Sequence, residues 1–431
     1  MVYRKNLSNR RDFIKKSAFA AMAASLAYPS FLSGSPQMEK VLKVGLIGCG
    51  GRGTGAAAQA LKADPNVVIT VLGDIFDDKL QESLHSLTQI DSERVKVPKA
   101  SQITGFDAYK KVIDSDIDVV LLATPPAFRP LHFEYAAQQG KHIFSEKPVA
   151  VDAPGIRRIT EAAKIAKQKN LNIVSGFCFR YDNSMRAIYD KVLKGDIGHI
   201  NSVTTFRNEG EAWFFPREES WSDMENYLRN WYYYKSLSGD FIVEQAVHSI
   251  DLMSWAMKDE MPVRAIGTGG RQVRVDKKYG NIYDHFAVEF EYANGEKGYH
   301  FARQQAGTTP RNSVDMLGDE GAALINVRGK YEIKGKENWK YSGPKNNMYQ
   351  TQHDELFAAI RSGNVLDDSK HMINSTLLAI LARDVSYSGK TITVDEMLSS
   401  KNSLGAEIDS YDWNMKWEPH SIAIPGVTKV I

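Results

Sequence analysis

Between Lys43 and Ser175, short apolar runs alternate with stretches of helical period. The runs are "LKVGLIG", "VVITVLGD", "IDVVLLATPP", "KHIFSEKP" and "LNIVSGF". Continuous apolar runs read as strands covered on both faces, and their spacing by helices predicts a parallel, doubly wound α/β sheet. After Phe177 the pattern changes to alternation of period two, in "INSVTTFRNEG", "VRAIGTGGRQVRV", "HFAVEFEYANGEKGYHFARQQ" and "NSVDMLGDEGAALINV". Turn pairs such as Asn294-Gly295 interrupt it, which predicts a large open, mainly antiparallel sheet. Helical patterns at Asp182–Lys194, Ile242–Met257 and Tyr349–Arg361 are expected to cover one face of that sheet. The apolar helix "STLLAILARDVSYSG" and an extended tail follow. The expected division is a leader over 1–35, a first domain over 41–176, a second over 177–372, and a C-terminal helix and tail over 373–431 that pack back on both.

At 431 residues and 43% hydrophobic composition, the chain can fill two ordinary cores. The net charge is +2, and beyond the leader the basic residues are dispersed, which leaves no electrostatic footprint for nucleic acid. Cys49 and Cys178 each sit in an apolar stretch and build no disulfide framework. In the leader, Arg4, Lys5, Arg10, Arg11, Lys15 and Lys16 precede an Ala-rich run from Ala18 to Ala27. That order reads as a signal peptide, and Arg10-Arg11-Asp12-Phe13-Ile14-Lys15 resembles the twin-arginine type. Periplasmic or otherwise exported protein is the expectation. No later segment is apolar and long enough to span a bilayer.

The spacing Gly48-x-Gly50-x-x-Gly53 closes a strand and opens the helix "TGAAAQALKA". Glycines there allow a tight turn, close approach of a pyrophosphate and close helix packing, the signature of a Rossmann dinucleotide seat. Asp74 ends the next strand, where its carboxylate can accept from both ribose hydroxyls and repel a 2′-phosphate. NAD is therefore expected, with NADP possible because Arg52 could pair with either phosphate group. Two further strands end at Thr124-Pro125-Pro126 and Glu146-Lys147-Pro148. Ligands of open α/β sheets bind beyond the carboxyl ends of the strands, so both turns should wall the crevice.

In "SGDFIVEQAVHSIDLMSWAM", Glu244, His248 and Asp251 fall at helical spacing on one face. A carboxylate one turn from a histidine can orient the ring as a general base, although a core histidine beside a surface ion pair has the same spacing. A metal would lack a third ligand, so none is expected. The segment "AWFFPREESWSDMENYLRNWYYY" is dense in aromatic rings, which suit either a sugar face or a subunit interface. Arg180 and the run Tyr283-Asp284-His285 are candidate contacts to substrate hydroxyls, or ordinary structural hydrogen bonds.

From Lys43 to the C-terminus the chain resembles the Gfo/Idh/MocA oxidoreductases, through "GLIGCGGRG", "ATPP", "GKHIFSEKP" and "EQAVHSID". The resemblance implies a Rossmann domain followed by an open-sheet domain. It implies Lys147 and His248 as an acid/base pair, Glu146 and Thr124 at the cofactor, and Glu244 as the assisting carboxylate, a position usually held by aspartate. Arg129 stands where relatives commonly carry histidine. The implied substrate is a small sugar or polyol, with Arg180, Asp251 and Tyr283 as candidate substrate contacts, and homo-oligomers form through the open sheet face. Within that frame three functions remain. They are oxidation of a secondary hydroxyl by hydride transfer with tightly held cofactor, redox-neutral glycoside hydrolysis, and non-catalytic sugar binding.

Overall fold

Side chains of a strand alternate in direction, yet Val44, Gly45, Leu46 and Ile47 of β1 (Leu42–Ile47) are all buried, so both of its faces are covered. The computed structural model describes residues 40–404, 411–415 and 421–431. The leader expected over 1–35 lies outside them. β1 is central in a parallel sheet with β2 (Val67–Asp74), β3 (Gln102–Thr104), β4 (Val119–Leu122), β5 (His142–Ser145) and β6 (Ile173–Ser175). Their order, β3-β2-β1-β4-β5-β6, is the doubly wound arrangement. The connecting helices are α1 (Gly51–Ala63), α2 (Asp77–Ile90), α3 (Ala108–Asp114), α4 (Arg129–Gln138) and α5 (Ala153–Gln168). β3 is only three residues long and carries no readable period, which is why the sequence does not announce it.

The second domain opens with α6 (Asn183–Leu193), whose first turn is capped by the Asp182 carboxylate accepting from the Met185 N–H. β7 (Ile200–Glu209) follows, then the short helices α7 (Asp223–Arg229) and α8 (Lys235–Ser238). The single helix expected over Ile242–Met257 is two, α9 (Phe241–Glu244) and α10 (Val247–Ala256). At the break the N–H groups of Gln245 and Ala246 both reach the Phe241 carbonyl. The Gln245 side chain is meanwhile drawn into a bond with Gln304. The strands β8 (Arg264–Gly270), β9 (His285–Glu291), β10 (Lys297–Gln304), β11 (Arg311–Gly318), β12 (Gly321–Asn326), β13 (Tyr331–Gly335) and β14 (Trp339–Lys340) come next. After them lie α11 (Met348–Ser362), α12 (Ser369–Ser388), β15 (Ile392–Thr393) and α13 (Val394–Ser399). The sheet order is β14-β13-β12-β11-β7-β10-β9-β8-β15, antiparallel throughout except for the parallel pair β7 and β10.

α12 joins the two domains and crosses the boundary expected between residues 372 and 373. Every residue from Ser375 to Ser388 is buried, so it has no solvent face and must be apolar or satisfied all round. Its Arg383 guanidinium donates to the Val151 carbonyl at 2.6 Å on the first-domain side and to Gly239 at 3.3 Å on the other. Thr376 accepts from the Val149 N–H, and Ser375 donates to Asp251.

Four histidines, the buried His132, His300 and His353 and the largely buried His371, have their pKa values pushed down to about 3, chiefly by burial. Between pH 3 and the unfolded value near 6.5, the unfolded chain binds more protons than the folded one, so these groups remove stability as pH falls through that window. Asp240 and Asp368, raised to about 6 by burial, act in the opposite sense, as do Asp74, Asp251 and Asp384, also raised by burial. His248, lowered by burial, and Asp64 and Asp78, lowered by the hydrogen bonds of Arg361 and Arg229, act with the four histidines. The urea midpoint is therefore expected to drop between pH 6.5 and 4.5. His353, its ring tilted against Phe144 at 4.3 Å with neither ring nitrogen bonded among the described residues, is the cleanest probe. His353→Leu should flatten the slope by about 1.4 kcal/mol per pH unit, one proton's worth; an unchanged slope would exclude this origin.

Candidate active site

β1 ends at Ile47 and the chain turns through Gly48, at φ 95°, into the N-terminus of α1. Gly50 precedes the helix with no side-chain cap, and the first turn holds no acidic residue, so its N–H groups are left for an anion. A Cβ on Gly53 would lie 1.9 Å from the Gly48 carbonyl oxygen, whereas one on Gly50 would meet nothing within 4 Å. Gly53 thus permits packing and Gly50 keeps space open above the helix end. Asp74 accepts from the Cys49 N–H at 2.6 Å and the Phe76 N–H at 2.9 Å, which fix its carboxylate beside the turn. Burial raises its pKa. A cleft of about 670 Å³ starts here, walled by Gly48, Gly50, Gly53, Asp74, Thr124 and Pro125. The free helix end, the open space at Gly50 and the fixed carboxylate fit a dinucleotide.

The opposite wall comes from the second domain. Trp213, Phe215, Trp221, Arg229 and Trp231, all from the aromatic stretch, line the cleft. Arg229 donates to both carboxylate oxygens of Asp78 at 3.0 Å and lies 4.0 Å over the Phe76 ring and 4.9 Å over Trp221. From the C-terminal tail, Trp413 packs 4.9 Å from Phe106 and 5.7 Å from Phe76, with Tyr411 edge-on to Phe106 and Phe128. Part of the stretch therefore faces the dinucleotide cleft, a use that residue type alone does not distinguish from a sugar platform or an interface. His132, also absent from the sequence reading, lies in the cleft, its Nδ1 3.3 Å from the Thr124 hydroxyl and its ring stacked on Tyr109.

Lys147 follows β5 at the carboxyl edge of the sheet. Its Nζ donates to the Glu244 carbonyl at 2.7 Å and meets the Glu244 carboxylate at 3.1 Å. The expectation that Glu244 orients His248 is corrected by the break between α9 and α10: Glu244 ends one helix, His248 lies in the first turn of the next, and the carboxylate pairs with the lysine. His248 is edge-on to Phe177 and Phe179, and its buried Nδ1 has no partner. Burial and the positive charges of Lys147, Arg207 and Arg328 hold its pKa well below the ordinary value. The ring is thus neutral, as a proton acceptor must be. Glu146 pairs with Arg52 at 3.1 Å, and Arg52 also donates to Gln59 and covers the Tyr349 ring. Arg129 is buried behind the turn, donating to the Pro148 carbonyl; it supports the lysine segment from beneath.

Three expected substrate contacts lie elsewhere in the packing. Arg180 and Asp251 bond to each other at 3.0 and 3.1 Å, Arg180 also pairs with Asp259, and Asp251 accepts from Ser375. With Glu244 and Asp251 on separate helices, the second carboxylate reaches under α10 toward α12. The Tyr283 hydroxyl donates to the Ala423 carbonyl at 2.9 Å, tying down the tail. Among the described residues no cluster of histidine, cysteine or carboxylate groups could hold a metal.

Comparison with known proteins agrees with this geometry. Residues 42–176 match the "Oxidoreductase family, NAD-binding Rossmann fold" model and residues 184–324 match the GFO/IDH/MocA C-terminal domain. The chain belongs to the Gfo/Idh/MocA oxidoreductase family. It is similar to an inositol 2-dehydrogenase of Rhizobium meliloti, 22% identical over 320 residues that cover 74% of this chain and 86% of the relative. A glycosyl hydrolase family 109 protein of Shewanella pealeana is 26% identical, but over only 45% of this chain and 46% of that one. Among solved structures, a levoglucosan dehydrogenase complex with NADH and levoglucosan superposes with a TM-score of 0.64 at 19% identity, covering 82% of this chain and 99% of that one. The family assignment makes this chain an NAD-binding oxidoreductase.

The two glycines should separate by substitution. Gly50→Ala is expected to keep the unfolding temperature of cofactor-free protein while weakening NAD affinity by about tenfold or more, since the new methyl enters the space the pyrophosphate needs. Gly53→Ala should lower the unfolding temperature itself. Equal behaviour of the two variants, by calorimetry and NAD titration, would refute the division of roles.

Proposed function

We propose that this family member oxidises a secondary hydroxyl of a sugar, glycoside or cyclitol and carries one nicotinamide cofactor through successive turnovers. The carrying observation is Lys147, held by Glu244 at the carboxyl edge of the Rossmann sheet with its charge acting on a neutral His248. When bound, the nicotinamide takes the hydride from the carbinol carbon. Lys147 is placed to donate to the carbinol oxygen, and His248 takes the proton directly or through Lys147, leaving a ketone. Glu244 balances the lysine charge and fixes its direction. Relatives named for inositol and levoglucosan support a polyhydroxylated substrate.

Retention of the cofactor is supported by the second wall of the cleft, which Arg229 and Asp78 close with two charge-assisted bonds. It also suits export by the twin-arginine route suggested by Arg10-Arg11, because little free NAD is available outside the cytoplasm. Exposed Ile266, Phe301 and Leu317 on the open face of the large sheet support a homo-oligomer; light scattering giving a monomer mass would remove that part.

The test uses protein purified without added nicotinamide and mixed with a panel of sugars and glycosides. Absorbance of reduced nicotinamide should rise to equivalence with the bound cofactor, then stall until a carbonyl acceptor is added. Arg229→Ala should release cofactor about tenfold faster or more, the value of a lost charged hydrogen bond. Product formed without net reduction would replace this reading by redox-neutral hydrolysis, the possibility raised by the partial match to the Shewanella pealeana protein.

A further inference from the structure

The covered face of the large sheet ends, beside His248, in polar groups that nothing among the described residues satisfies. Arg207 lies on β7 in the row of Val203 and Thr205, the two buried positions that face the helices. It is paired in register with Ala302 on β10 and Asn312 on β11. Its side chain is 13% exposed, and its one ion pair is with Glu209, two residues along the same row, at 2.8 Å. Its Nε is buried with no partner, and so are the Asn312 Oδ1 on the adjoining strand and the His248 Nδ1. Burying a polar group unmatched is costly, and two such groups at one end of the sheet face, with a third on the adjoining helix, mark a surface completed by a ligand.

The sign of the charge there is set by a second arginine. Arg328 occupies the turn between β12 and β13 with φ 65°. Its guanidinium reaches back to the Tyr349 hydroxyl at 3.4 Å. Tyr349 in turn lies beneath Arg52, 5.2 Å from the ring centre. Among the described residues, Lys147 has Glu244, Arg207 has Glu209 and Arg52 has Glu146, while Arg129, buried behind the turn, donates to the Pro148 carbonyl and forms no ion pair. No carboxylate pairs with Arg328. The region therefore holds more cations than carboxylates, and Arg328, Arg207 and Lys147 all act on His248.

We infer that the substrate is an acidic sugar, a polyhydroxylated carboxylate such as a hexuronate, whose carboxylate is bound by Arg328 and Arg207 while Lys147 and His248 address a hydroxyl. An excess of positive charge matches an anionic substrate, and a planar guanidinium with a free Nε presents donors to a planar carboxylate. Asn312 accepts from a sugar hydroxyl. The inference rests on the hydroxyl-oxidising reading above and narrows its substrate class.

The experiment measures reduction of bound cofactor in the full chain by D-glucose, D-glucuronate, D-galactose, D-galacturonate and D-glucose 6-phosphate. The uronates should exceed their neutral counterparts in kcat/KM by about tenfold or more at low salt, and the margin should shrink as salt screens the pair. In Arg328→Gln the ratio of uronate to neutral sugar should fall by about tenfold, mainly through KM, with part of the preference kept in Arg328→Lys. Arg207→Gln should act likewise. Arg328 is exposed, so its variants carry the test if those of Arg207 fail to fold. Bound NAD and unfolding temperature serve as the fold controls. Neutral sugars equal to or better than uronates would overturn the acidic-sugar inference and leave the oxidoreductase reading standing. Preference for glucose 6-phosphate alone would overturn the carboxylate assignment. Reduction by none of the five, with neutral polyols such as myo-inositol also inert, would remove both.

Discussion

A helix without a solvent face governs how the two halves of this protein meet. From Ser375 to Ser388 each residue of α12 is buried, so any rotation of one domain about the other would have to open the core. Arg383 sits at that junction with bonds to backbone carbonyls from both sides, and a buried guanidinium stripped of these acceptors would be costly. The rigidity has a local purpose. Val149 and Val151, the residues tied to α12, directly follow Lys147-Pro148, so the helix fixes the segment that presents the lysine to Glu244.

Around that lysine the charges are arranged in pairs that cross between elements. Lys147 and Glu244 are 97 residues apart in sequence, and Arg52 and Glu146 join the glycine turn to the end of β5. Each acid limits the cost of burying its base. Burial and the uncancelled positive charges of Lys147, Arg207 and Arg328 act on His248, which makes the imidazole a ready acceptor and keeps it from carrying a second positive charge beside Lys147.

The Rossmann half was legible because its strands are buried on both faces and its turn chemistry is local: Gly48 to Gly53 and Asp74 can be placed by counting. Lys147 was legible for the same reason, lying two residues beyond the end of β5. The errors arise where a local period was extended across a break or where the partner lies far away. Treating Ile242–Met257 as one helix put Glu244, His248 and Asp251 on a common face, whereas the interruption at Gln245 sends the first to Lys147 and the last to Arg180. Arg229 and Asp78, separated by 151 residues, give no signal in sequence spacing. The strands β14 and β15 are two residues each and exist only because a neighbouring strand offers them a ladder.

The wall contributed by Trp213 to Trp231, with Trp413 packed against Phe76 and Phe106, means that cofactor affinity is not the property of a transferable module. A Rossmann domain transplanted from this chain onto another relative's sheet domain would keep its glycine turn and Asp74, yet Asp78 and Phe76 would face water in place of Arg229. Recombination within the family is then constrained by matched surfaces as well as by matched folds. The two domains of such a protein must be inherited together if the nucleotide is to stay.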